Sequence, residues 1–209
     1  MRFENVLIRS NKDLTTFLYT VDGVNDQQVE EINSLYFFKD KFDCLDKFGC
    51  EIKFCKILSN VFANNLIYLD SCLPIIVSES LIRYYNSLDN TISDIADYLA
   101  KSNTLDFNGV DKMNFYAYKL KQLLFAFSCG MAPEIVWNGN YNGWEEFLVS
   151  KEDASFFCCN YYEKNRLEDY LFYNTAFDTP SRDCYEFGKI YKEDDIYYMK
   201  LNMQVRFIH

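Results

Sequence analysis

Ile196-Tyr197-Tyr198-Met199-Lys200-Leu201-Asn202-Met203-Gln204-Val205-Arg206-Phe207-Ile208 alternates between apolar and polar side chains over most of its length. Tyr197, Met199, Leu201, Met203, Val205 and Phe207 fall on one side, and Lys200, Asn202, Gln204 and Arg206 on the other. Successive side chains of a strand point to opposite faces, so a period of two over this length predicts a β-strand with one buried face. The polar set contains no acid. Arg and Lys match guanine edges, and Asn and Gln match adenine edges, through paired donors and acceptors, so these four residues are candidate DNA contacts. On alternation alone the plainer reading is a solvated face of an antiparallel sheet.

The rest of the chain supplies the context for that strand. The acidic turn Glu193-Asp194-Asp195 joins it to a strand predicted over Tyr185 to Tyr191. Further upstream come an irregular stretch from Asn174 to Asp183, a short helix from Glu163 to Tyr173, and strands at Glu146 to Ser150 and Ser155 to Tyr161. Helices are predicted over Asn60 to Leu69, Pro74 to Asn86, Thr91 to Ala100 and Asp111 to Cys129. Thr91 and Asp111 stand as N-caps, and Gly130 as the stop of the last helix. A helical stretch from Asn25 to Lys47 ends at Gly49, before a strand over Glu51 to Leu58. Phe3 to Ile8 and Thr16 to Val21 read as an N-terminal β-hairpin. The order β, then α, then β predicts one α+β (mixed α/β) domain over residues 1–209, with central helices and C-terminal antiparallel strands.

Composition narrows the chemistry. The 209 residues are 49% hydrophobic and 18% aromatic, with only seven glycines and three prolines, which argues for a folded core rather than disorder. The eight cysteines form no C-x-x-C pair and sit among apolar neighbours, so they read as small hydrophobes with free thiols, without a metal site. No basic-then-apolar leader and no membrane-length apolar run occurs, so the expected setting is the cytoplasm. The one histidine is His209, which removes a Ser–His–Asp triad, a His-based zinc site and a histidine general base. The formal net charge of −10 weighs against nucleic-acid binding, unless basic residues are gathered on one face.

Several motifs resemble the HpaII-like type II restriction endonucleases. Phe187-Gly188-Lys189-Ile190-Tyr191, followed by Lys200-Leu201-Asn202-Met203-Gln204-Val205-Arg206-Phe207, is similar to that family's ending. Asn65-Leu66-Ile67-Tyr68-Leu69-Asp70 with Leu73-Pro74, Tyr118-Lys119-Leu120-Lys121 with Gly130-Met131-Ala132-Pro133, Trp137-Asn138-Gly139, and Asn174-Thr175 through Pro180-Ser181-Arg182 follow in the family's order. At the front, Leu7-Ile8-Arg9-Ser10 and Thr16-Phe17-Leu18-Tyr19 look like its S-I-K-S and N-F-I-Y. The resemblance runs over nearly the whole chain. It implies a restriction-endonuclease-like fold, double-stranded DNA as partner and Mg²⁺-dependent cleavage at a short palindrome. It also favours Ser181 and Arg182 as a phosphate clamp, joining a hydroxyl to a guanidinium fork.

Two departures weaken the expectation of cleavage. In the family an upstream segment carries the metal-binding aspartate, whereas Met1 here falls almost at the S-I-K-S strand. The family lysine is Arg9 in this chain, and a guanidinium stays protonated where a lysine can be tuned. The expectation is therefore a domain incomplete at its N-terminus that binds DNA without cutting, with a companion chain as one source of the missing half. Asp46 with Glu51-Ile52-Lys53 also spells D…E-x-K, outside the position of the family's catalytic hairpin. The competing class is a non-enzymatic acidic protein–protein module or DNA mimic, in which Lys200 to Arg206 form only a solvated face.

Overall fold

The computed structural model describes residues 6–8, 14–87, 91–141, 146–150, 156–178 and 186–208. In chain order, β1 (Val6–Ile8) and β2 (Thr16–Asp22) precede helices α1 (Asp26–Ser34) and α2 (Phe38–Phe48) and strand β3 (Glu51–Ile57). Four helices follow: α3 (Asn60–Leu69), α4 (Leu73–Ser87), α5 (Ile92–Ser102) and α6 (Lys112–Ser128). The last third carries β4 (Glu146–Ser150), β5 (Phe156–Asn160), α7 (Lys164–Asn174), β6 (Thr175–Phe177), β7 (Ile190–Glu193), β8 (Ile196–Asn202) and β9 (Val205–Phe207). The fold is α+β, as the element order predicts.

Local chemistry sets the helix ends. Asn25 and Gln28 close a reciprocal capping box on α1. Ser59, Thr91 and Asp111 cap α3, α5 and α6 through their side-chain oxygens. Gly49 ends α2 at φ 69°, a left-handed conformation that a residue without Cβ adopts freely. The single helix expected from Asn25 to Lys47 is two helices. Leu35 is extended at their break, and the change of direction lets both Ile32 and Phe42 reach the core.

The described strands form three antiparallel sheets: four strands in the order β3-β2-β8-β7, three in the order β1-β9-β6, and the β4-β5 pair. Among the described residues the expected N-terminal hairpin is not formed. β1 pairs with β9, while β2 pairs with β3 and β8. The reason is burial: Thr16 to Tyr19 of β2 are buried on both faces, so this strand occupies the middle of the larger sheet. Phe17, Tyr19 and Val21 lie on one face with Met199 and Leu201, in the same buried cluster as apolar residues of helices α2 to α6. The stretch expected to be irregular after Asn174 contains β6, whose three residues are buried against β9. Among the described residues no single helix is long and apolar enough to cross a membrane; α3 and α4 reach that length only together, across a 110° bend.

Candidate nucleic-acid interface

The C-terminal stretch serves two sheets. β8 lies between β2 and β7, and β9 lies between β1 and β6. The apolar side keeps its predicted role, since Met199, Leu201, Met203 and Val205 are all buried. The polar side is divided at the crossing between the sheets.

Asn202 departs from its expected role as a base reader. It is 0% exposed. Its Oδ1 accepts from the Thr15 hydroxyl at 3.1 Å, and its Nδ2 donates to Thr16 Oγ1 at 2.8 Å. The Tyr85 hydroxyl donates to its main-chain carbonyl at 2.9 Å, and the next residue, Met203, donates its N–H to Thr15 O at 2.9 Å. A buried amide is retained only where its hydrogen bonds are made internally, so this side chain is a clamp on the crossing. Burial holds the Tyr85 phenol far above the usual tyrosine range, which keeps its proton in place as the donor.

Gln204 lies in the crossing itself, and Arg206 lies beyond it on β9. Gln204 Nε2 donates to Asp178 Oδ2 at 3.1 Å, and Arg206 Nε lies 3.7 Å from the same oxygen. The Asp178 N–H also donates to the Gln204 carbonyl at 3.0 Å. Arg206 pairs with Val6 on one side and Ala176 on the other, and its side chain is 50% exposed. Lys200 lies before the crossing, opposite Leu18, with its ammonium 4.8 Å above the Tyr191 ring. Tyr198 stands beside that ring at 5.9 Å. Lys200 therefore belongs to the four-stranded sheet and Arg206 to the three-stranded one, with Gln204 in the crossing between them. Arg9, Ser181 and Arg182 lie outside the described residues.

The D…E-x-K combination takes a different partner from the one its spacing suggests. Glu51 stands opposite Asp22, not Asp46. Lys53 Nζ lies 2.7 Å from Glu51 and 2.9 Å from Asp22, and all three side chains are exposed. These hydrogen bonds raise the Lys53 ammonium above its usual value. The lysine occupies the position between the two carboxylates that a cation would need. Among the described residues no three His, Cys, Asp or Glu side chains gather into a metal-binding group. The described donors do not fit a Mg²⁺ centre.

Trp137-Asn138-Gly139 is a packed turn. Asn65 holds it by donating to the Ala132 and Ile135 carbonyls and accepting from the Trp137 N–H. Trp137 donates its indole N–H to Asn140 O, and Tyr68 packs edge-on to the indole at 5.9 Å. Gly139 has φ +82°, and a Cβ there would come within 2.9 Å of the Tyr68 ring. Sequence reasoning did not reach Asp178 or the Thr15, Thr16 and Tyr85 partners of Asn202. Their only signal is three-dimensional proximity.

The family model for HpaII restriction endonuclease matches residues 5–207. The chain is 39% identical over 194 residues to the type II restriction enzyme HpaII of Haemophilus parainfluenzae, an alignment covering 93% of this chain and 54% of that enzyme. The chain thus spans about half the length of the curated relative it matches. No solved structure matches it.

Proposed function

We propose that this chain, which belongs to the HpaII restriction endonuclease family, recognises duplex DNA through the surface that carries Gln204 and Arg206. The observation that carries this reading is the half-exposed Arg206 guanidinium. It stands on the central strand of a three-stranded sheet and is approached at Nε by Asp178. A guanidinium carried on a strand paired on both sides is suited to a base edge, because the sheet holds its backbone in place before DNA arrives. Lys200, with Ser181 and Arg182, is assigned to phosphate, where a charge fixes register without reading sequence. A cytoplasmic restriction–modification setting belongs to the same proposal.

Mg²⁺ is the cofactor that the family resemblance implies. The described carboxylates do not form a site for it, and Arg9 in place of the family lysine cannot act as a tunable proton-handling group. Duplex binding measured by fluorescence anisotropy across a salt series tests the function. Binding should weaken steeply with salt, Arg206→Ala should relax sequence preference, and Lys200→Ala should lower the salt slope by about one. Weak binding at low salt that neither variant changes would instead favour the acidic interaction-module reading, for which the net charge of −10 is the supporting observation.

A further inference from the structure

Asp178 directly follows β6, and one oxygen of its carboxylate faces both candidate base readers. Its main chain is bonded to Gln204 as well, so backbone and side chain hold the same pair together. A carboxylate only accepts hydrogen bonds, so the Gln204 amide must turn its nitrogen toward Asp178 and its Oε1 away. Arg206 Nε lies 3.7 Å from the same oxygen, an ion pair beyond hydrogen-bond distance, with the terminal Nη nitrogens at the far end of the side chain. That Nη pair is the part of the fork left to meet an acceptor pair such as guanine O6 and N7.

We propose that Asp178 is a specificity-positioning residue: it orients the Gln204 amide through a hydrogen bond and draws the Arg206 guanidinium by charge, and so determines which base edges this surface accepts. The inference rests on the DNA-recognition reading above. An untethered glutamine presents donor or acceptor by rotating its amide, and it discriminates poorly between bases. Holding the nitrogen at Asp178 removes that freedom. The carboxylate also places a negative charge beside the candidate interface, which opposes indiscriminate phosphate binding. Asp178 therefore raises discrimination at the expense of general affinity, a pairing of effects that a merely structural residue would not produce.

The test uses the full chain and a pool of randomised-sequence duplexes, from which the wild-type preferred site is selected. Affinities for that site and for its single-base-pair variants are then compared among wild type, Asp178→Asn and Asp178→Glu, with folding checked by thermal melts. Asp178→Asn should bind random duplex at least as tightly as wild type, yet lose about tenfold or more in discrimination, as expected when a matched base contact is lost. Asp178→Glu keeps the charge and should recover part of the preference. Wild-type discrimination in Asp178→Asn overturns the proposal. So does a uniform loss of affinity with unchanged preference, which would mark a structural role. Arg206→Ala and Gln204→Ala, run in parallel, separate the two levels: if neither changes duplex binding, the DNA-recognition reading itself has failed.

Discussion

The Tyr85 hydroxyl donates to the main-chain carbonyl of Asn202 at 2.9 Å, tying helix α4 to the point where the chain passes from one sheet to the other. Both residues are 0% exposed. Asn202→Ala should remove the buried hydrogen bonds to Thr15 and Thr16 and cost roughly 1–3 kcal/mol, the range for losing a partner of buried polar groups. Tyr85→Phe should cost a similar amount by removing the buried hydrogen bond from the phenol to the Asn202 carbonyl. Arg206→Ala, a few residues further along, should shift stability by under about 0.5 kcal/mol. Urea melts of the three variants measure this, and equal losses at positions 202 and 206 would refute the division between clamp and surface.

Acid should weaken a second tie. Lys119 donates to Asp70, joining α6 to the end of α3, and both side chains are mostly buried. Burial alone would raise the Asp70 carboxyl, but hydrogen bonds from Lys119 and from the Cys72 N–H outweigh it and bring it below the usual aspartate value. Because the folded value is depressed, the stabilisation is complete above the unfolded value of about 3.9 and is lost as pH falls through the folded one. Lys119→Met should cost about 3 kcal/mol at neutral pH, the low end for breaking a buried pair. The gap to wild type should narrow below about pH 4. A gap independent of pH would show that Lys119 contributes by packing alone.

The thiols give a direct check on the core. Cys55 and Cys158 are exposed, whereas Cys44, Cys129 and Cys159 are buried. Burial also pushes the Cys44 and Cys159 thiols above their usual value, reducing the reactive thiolate. Titration with a chromogenic disulfide at pH 8 should find Cys55 and Cys158 in the fast phase, and all eight cysteines of the sequence after denaturation. Fewer than eight, or stoichiometric zinc, would contradict the expectation of free thiols without metal.

Lys53 makes a prediction about cations. It lies between Asp22 and Glu51, so calorimetric titration with Mn²⁺ should find no site that Glu51→Ala abolishes. Plasmid incubated with the chain and Mg²⁺ should likewise show no nicking that depends on Glu51. Either effect would make this trio a metal centre.

The buried face of the C-terminal stretch was legible from Met199 to Val205, with Tyr197 and Phe207 only partly covered at its ends, because alternate burial follows from strand geometry alone. The crossing at Met203 and Gln204 was not, since a strand can change sheets without disturbing its side-chain period. Asn202 shows why composition misled. A polar residue in a polar series looks the same whether solvent or protein satisfies it, and here the deciding hydroxyls lie 187 and 186 residues away in sequence. The N-terminal strands were legible as strands but not as partners. Two apolar segments joined by a short polar link suggest a hairpin, and only the two-faced burial of Thr16 to Tyr19 reveals a central strand that takes other neighbours.

The crossing has a consequence for how such a protein can change over time. Position 202 is constrained by the core, whereas positions 204 and 206, only two and four residues later on the same run of backbone, are half-buried and exposed. Recognition can therefore drift, or be redesigned, at those later positions with little penalty in folding, because the inherited clamp at Asn202 keeps presenting whatever side chains replace Gln204 and Arg206.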